Sequence, residues 1–348
     1  MRLKKISAVA IIMVMLFSFS IILEQGIPGT GINERSSLQP EIIDSSLISN
    51  SQTVVILVHG FDPGDTSGAP STGTWHSGVN IYQQLVNAGY LVGSVQYYGE
   101  FQIQFSNGYT FYDSSFTGTS NTPISSIGNE LGNALQTVFG SSHFNVDMIG
   151  YSMGGLVTTY MLEHFDMINI NLKNVIFMAS PFDGSPLAGL AQCLGLSGYT
   201  GTQVNEMTQG SNFLNHLASS LGNVNSYYGS TVWTVYAGTY DPWWGYVLFN
   251  GANDGVVSEH SATYFGYDHL YTFSSDIHTA SLDDFTWSGI SYFQDQSVAN
   301  TIITNFPGTS NFPLGHRCRH FLTIVQGLGS LPLPGNPSSF HISTSLFL

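Results

Sequence analysis

The sequence predicts an α/β fold, a mostly parallel central sheet flanked by helices with one inserted cap or lid. Three observations predict it. β-branched apolar runs alternate with helically spaced apolar stripes from Thr53 to Phe306. The first run is apolar from Val54 to Val58, as a strand covered on both faces requires. One strand-to-helix junction sets a serine between two closely spaced glycines, Gly150-Tyr151-Ser152-Met153-Gly154.

Taken in order, Thr53 to Val58 reads as the first buried strand and stops at His59-Gly60. Residues 77–88 carry Ile81, Tyr82, Leu85 and Val86 at helical spacing, and Tyr90 to Val95 returns to strand pattern. Thr122 with Pro123 resembles a helix cap and first turn before a stripe of Ile124, Ile127, Leu131, Leu135 and Val138. Phe144 to Ile149 reads as strand, Met153 to Phe165 as helix and Leu172 to Met178 as strand. Residues 181–230 break this rhythm with Gly, Ser and Asn, and the inserted cap is expected there, with a weak helical pattern around Met207, Phe213, Leu214 and Leu217. Two more strands, Thr231 to Ala237 and His269 to Phe273, precede a closing helix over Trp287 to Phe306 through Ile290, Phe293, Val298 and Ile302. No internal repeat is visible.

One domain over residues 51–307 accounts for this pattern, since a chain of 348 residues with 43% hydrophobic content can bury one large core. Arg2, Lys4 and Lys5 followed by the uncharged, mostly apolar run Ile6 to Leu23 read as an export segment, either a cleaved signal peptide or a retained membrane anchor. Residues 24–50, rich in Gly, Ser, Pro and Asn, read as a linker, and residues 308–348 as a flexible C-terminal tail. The expected location is extracellular, secreted or tethered. In that compartment Cys193 and Cys318 could pair, although two cysteines so far apart carry little information without geometry. His316, Cys318 and His320 alternate in the tail without the structured context of a zinc site.

Charge narrows the function classes. Of seven basic residues only Lys173 lies between residues 36 and 315, whereas of 22 acidic ones only Glu24 and Glu34 fall outside that span. Nucleic acid is excluded as an expected partner, because phosphate binding needs clustered Lys and Arg. A surface poor in cations also escapes the repulsion that unfolds proteins once acid has neutralised their carboxylates. Adaptation to an acidic exterior and plain composition bias both fit this balance.

The chemistry concentrates at Ser152. A nucleophile on a tight strand-to-helix turn needs small neighbours, which Gly150, Gly154 and Gly155 supply. Attack on a carbonyl creates an oxyanion, for which the amide of Met153 at the helix start and that of Phe61, after His59-Gly60, are the expected donors. His59 itself reads as a structural residue shaping that loop. Serine also needs a base, and the base a carboxylate, in chain order Ser, acid, His for an elbow of this kind. Asp254, in Asn253-Asp254-Gly255, is favoured as the acid over Asp241, which precedes Pro242 as a turn former. Among the later histidines, His260 lies too close to Asp254 in sequence and His269 begins a strand, which leaves His278, just past that strand, as the base.

These motifs together resemble the lipase and esterase branch of the α/β-hydrolases over about residues 53–305. Val58-His59-Gly60 and Gly150 to Gly155 match its oxyanion loop and nucleophile elbow, and Ala179 to Ala188 is similar to its T-P-H-x-G-S-P-x-A turn with Phe182 in place of His. Met207 to Leu217 resembles its cap segment and Asn253 to Val257 its acid loop. The resemblance implies a serine hydrolase cleaving carboxylic esters, with acyl lipid the favoured substrate class and no cofactor. Some bacterial lipases of this kind bind calcium through an Asp two positions past the catalytic His. Ala280 stands there in this chain, and Asp283 and Asp284 are the nearest substitutes. Tyr240, Trp243, Trp244, Tyr246, Leu248 and Phe249 crowd the loop before Asp254, where they either contact lipid or pack under the cap. A phospholipase, thioesterase or acyltransferase would use the same residues, and a non-catalytic surface binding protein could keep the fold.

Overall fold

The computed structural model describes residues 53–62, 72–140, 143–165, 170–189, 201–241, 248–249, 251–278 and 289–306. The export segment, the linker and the C-terminal tail lie outside the described residues, as do Cys193, Cys318, Ala280, Asp283, Asp284 and Trp243, Trp244 and Tyr246 of the aromatic loop. No helix among the described residues is long and apolar enough to cross a membrane.

In chain order the elements are β1 (Val54–Val58), α1 (Thr72–His76), α2 (Ile81–Asn87), β2 (Leu91–Gln96), β3 (Gly99–Phe105), β4 (Thr110–Gly118) and α3 (Ile124–Phe139). There follow β5 (Phe144–Tyr151), α4 (Met153–His164), β6 (Ile170–Met178), α5 (Thr202–Glu206), α6 (Asn212–Tyr227), β7 (Val232–Gly238) and α7 (Glu259–Thr263). The chain closes with β8 (His269–Phe273), β9 (Asp276–Ile277), β10 (Ile290–Ser291) and α8 (Gln296–Asn305).

Eight strands form one sheet in the order β4-β3-β2-β1-β5-β6-β7-β8, parallel from β2 to β8. β1 lies at its centre and is wholly buried, because its side chains alternate between two cores. Val54, Ile56 and Val58 join one core with the apolar faces of α3, α4 and α6, and Val55 and Leu57 join the other with α2 and α8. The expected stripe of α3 is buried at every position named for it. α4 is buried nearly all round, as a helix enclosed by neighbours must be.

The differences from expectation are local. Residues 99–118 form the hairpin β3 and β4, which adds an antiparallel edge to the sheet. Its signal is present in Phe101, Ile103 and Phe105 alternating with Gln102 and Gln104, all three aromatic or aliphatic side chains being buried. Thr122 does not cap α3. Its hydroxyl accepts the Thr119 amide, Pro123 occupies the cap position, and the carboxylate of Glu206 accepts the Ile124 amide at 2.7 Å. The closing helix begins only at Gln296, because Asp295 caps it by accepting the Ser297 amide at 2.7 Å. Ile290 pairs with Asp276 as β10, and Phe293 packs edge-on against Trp75 and Tyr151 instead of joining the helix stripe. Within the inserted segment, α6 forms the crossover from β6 to β7 and buries Leu214, Leu217, Leu221 and Val224 in the first core, while residues 190–200 lie outside the described residues.

Candidate active site

The carboxyl ends of β1, β5, β7 and β8 deliver the candidate residues to one edge of the sheet. Ser152 sits between β5 and α4 with φ 52° and ψ −123°, a conformation that costs a non-glycine residue about 1–3 kcal/mol. Its amide is held by the Met178 carbonyl at 2.8 Å. The turn closes only because its neighbours are glycines: a Cβ on Gly154 would stand 2.2 Å from the Val58 carbonyl oxygen. Likewise, a Cβ on Gly60 would stand 2.9 Å from the Ser152 Cβ, so the loop bearing Phe61 runs directly beside the serine. Met153 opens α4, where the first amides lack partners inside the helix.

His278 lies 2.8 Å from Ser152, Nε2 to Oγ, and 2.8 Å from Asp254, Nδ1 to Oδ2. Its own amide donates to the Asp254 carbonyl at 2.9 Å, so backbone and ring are tied to one residue. The Asp254 carboxylate is buried and collects donors on both oxygens. Oδ1 accepts the amides of Val256 (2.9 Å) and Val257 (2.7 Å), and Oδ2 faces His278 and accepts the Tyr292 hydroxyl at 3.2 Å. A proton donated from Nδ1 to this carboxylate leaves the Nε2 lone pair to accept the Ser152 proton.

Two tyrosines that sequence reasoning did not single out complete the corner. Tyr151 donates its hydroxyl to the His278 carbonyl, and its ring lies 5.2 Å from the imidazole. Burial first, and then the Asp254 carboxylate, pushes both the Tyr151 and the Tyr292 phenols well above the usual range, so both keep the proton they donate. The only sequence signal for either was position, Tyr151 beside the serine and Tyr292 just before the closing helix.

The rival residues stand elsewhere. Asp241 accepts from the Asn253 side chain at 2.7 Å and gives its own amide to the Asn253 carbonyl, which shapes the acid loop from outside. His260 is exposed on α7, 3.7 Å from Asp183, and His269 is exposed at the start of β8. His59 is buried and stacked on Tyr97 at 3.9 Å, and the Tyr97 hydroxyl points to the carbonyls of His59 and Gly60 at 2.5 and 2.8 Å. Phe182, at the position of the family's usual His, packs on Phe177 and Phe265 in the core. Glu163, His164 and His216 bring possible metal ligands together, but at the opposite end of α4 from Ser152, and Nδ1 of His164 already lies 3.0 Å from the Tyr160 carbonyl.

No family model matches the chain, and no curated protein matches it in sequence. Solved structures do. The lipase BlEst2 of Bacillus licheniformis in its propeptide form aligns with a TM-score of 0.50 at 15% identity, over 79% of this chain and 54% of that one. This chain thus spans about half the length of that structure. The mature form of the same lipase gives 0.47 at 16% identity, over 73% and 91%, and the phospholipase PlaB of Legionella pneumophila gives 0.44 at 16%, over 61% and 46%. At such identity the likeness is one of fold. The chain has the α/β-hydrolase fold.

Proposed function

We propose that this protein is a serine hydrolase that cleaves carboxylic esters through an acyl-enzyme, with acyl lipid as its substrate class. The observation that carries the reading is the unbroken relay of two 2.8 Å contacts from Ser152 through His278 to Asp254, built on a serine held at positive φ. In this reading Ser152 attacks the ester carbonyl as His278 takes its proton, and the amides of Met153 and Phe61 hold the oxyanion. The alcohol leaves with the proton from His278. Water, deprotonated by the same base, then releases the acid and restores the serine. Asp254, held by four donors, keeps the imidazole turned toward Ser152 throughout. The name lipase carried by the structure of shared fold supports the acyl class, and the export segment, read from sequence, supports action outside the cell.

A panel of p-nitrophenyl esters, triglycerides and phospholipids assayed on wild type and Ser152→Ala tests this reading. Serine-dependent turnover is expected, strongest on acyl lipids, together with covalent labelling of Ser152 by a fluorophosphonate. Activity that survives in Ser152→Ala, or an unlabelled serine, overturns it.

A further inference from the structure

Three buried carboxyl oxygens among the described residues have no hydrogen-bond partner, on Glu130, Glu163 and Asp276. Glu163 has imidazoles beside it. The other two face a second carboxyl. Asp276, on β9 two positions before His278, is completely buried, with the carboxyl of Asp295 within hydrogen-bonding reach. Asp295 is the cap of α8. Glu130, on α3, stands in the same relation to Asp113 on β4.

Among the described residues no cation balances either pair. Lys173 is the sole Lys or Arg among the described residues, and it acts on Asp147. Around Asp276 the polar neighbours among the described residues include the Ser275 hydroxyl, 3.1 Å from Oδ1, the Asp254 carboxylate and the Tyr292 phenol. Around Glu130 the one charged neighbour among the described residues is Asp113, whose carboxylate accepts the amide and hydroxyl of Ser115, each at 2.7 Å. Two carboxylates accept and neither donates. Facing each other without a cation, they are repulsive unless one proton lies between them.

We propose that Asp276 and Asp295 share a proton that braces the His278 loop against α8, and that Asp113 and Glu130 share one that braces the sheet edge against α3. Protons thereby hold together what Lys and Arg join in other folds. Burial, and then the charge of Asp295, pushes the Asp276 carboxyl up to about 8, and burial followed by Asp113 pushes Glu130 up to about 7. Both shifts raise the folded value above the unfolded one, so the folded state keeps a proton that the unfolded chain has lost. Their stabilisation is therefore complete below about pH 4 and is lost as the pH rises, to about 7 for Glu130 and about 8 for Asp276. The weak point is β9, which pairs with β10 over only Asp276 and Ile277. Loss of its proton sets three carboxylates, Asp254, Asp276 and Asp295, against one another at the base of the His278 loop.

Infrared spectroscopy of the full chain at about pH 6, where ordinary carboxyls are ionised, tests the claim directly. The carbonyl stretch of a protonated carboxylic acid is expected in wild type and should lose intensity in Asp276→Asn and again in Glu130→Gln. Its absence from wild type overturns the proposal. In thermal unfolding, the wild-type Tm should fall by roughly 4 °C or more between about pH 5 and about pH 9. Asp276→Asn should fall less, because an amide donates to Asp295 at every pH. Should that variant not fold, Asp295→Asn tests the same pair from the other side, since Asn caps a helix as well as Asp does. A wild-type Tm that rises over this range, or variants that keep the whole fall, refutes the brace. The alkaline limb of the activity profile should also move up in these variants, and an unmoved limb refutes the link to His278. That arm alone rests on the catalytic reading of Ser152, His278 and Asp254.

Discussion

Asp254 and Asp276 are close neighbours, equally buried, and furnished in opposite ways. Asp254 receives two amides, a phenol and an imidazole, whereas Asp276 has one serine hydroxyl and a facing carboxyl. Depth is the same, so depth does not decide which of them can orient an imidazole. The supply of donors does: a carboxylate wrapped by N–H and O–H groups can orient an imidazole, and one that faces another acceptor becomes a site for holding a proton.

That contrast can be broken by mutation. The largest effect expected is that of Ser152→Ala, which removes the proposed nucleophile and should lower turnover about 10⁶-fold, with circular dichroism and Tm unchanged. Asp254→Asn should lower kcat by about 10⁴, because an amide cannot fix the Nδ1–H tautomer. Asp241→Asn, which alters only the outer shape of the acid loop, should stay within about tenfold, and the reverse order in a kcat assay would transfer the role to Asp241. Tyr292→Phe takes one donor from Asp254 and an acceptor from the Gly238 amide, so kcat should drop about tenfold, corresponding to ~1.4 kcal/mol. The smallest effect belongs far from both carboxyls. Glu206→Ala uncaps α3 and should cost about 0.5–2 kcal/mol in denaturant unfolding, with the esterase rate unaltered.

The parallel strands of the large sheet and the elbow were legible because their signals are local. Val54 to Val58 announces burial on both faces by composition alone, and Gly150-Tyr151-Ser152-Met153-Gly154 announces a turn whose sterics admit little else. Asp254 and His278 were legible at one remove, through their positions relative to strands, and the structure places both within hydrogen-bond distance of their expected neighbours. Contacts that join distant segments were not legible. The cap on α3 comes from Glu206, and Tyr292 reaches Asp254 only because β10 folds back on β9. The closing helix is shorter than its apolar spacing predicts for a related reason. Ile290 and Phe293 have the spacing of a helical stripe, and the competing instruction, a capping carboxylate at Asp295, is a single residue.

Gln203 on α5 carries a consequence for motion. Fully buried, it accepts the Tyr98 hydroxyl at 2.8 Å and donates to the carbonyls of Thr119 and Thr122 at 2.9 and 3.0 Å, while Tyr98 accepts the Asp62 amide next to Phe61. The inserted segment is therefore anchored at α5 through a buried node of three hydrogen bonds. Displacing that end would strip several buried polar groups of their partners together, a penalty of about 1–3 kcal/mol for each. Through Tyr98 the same node reaches the Asp62 amide, so α5 and the loop bearing Phe61 are tied to one buried set of hydrogen bonds.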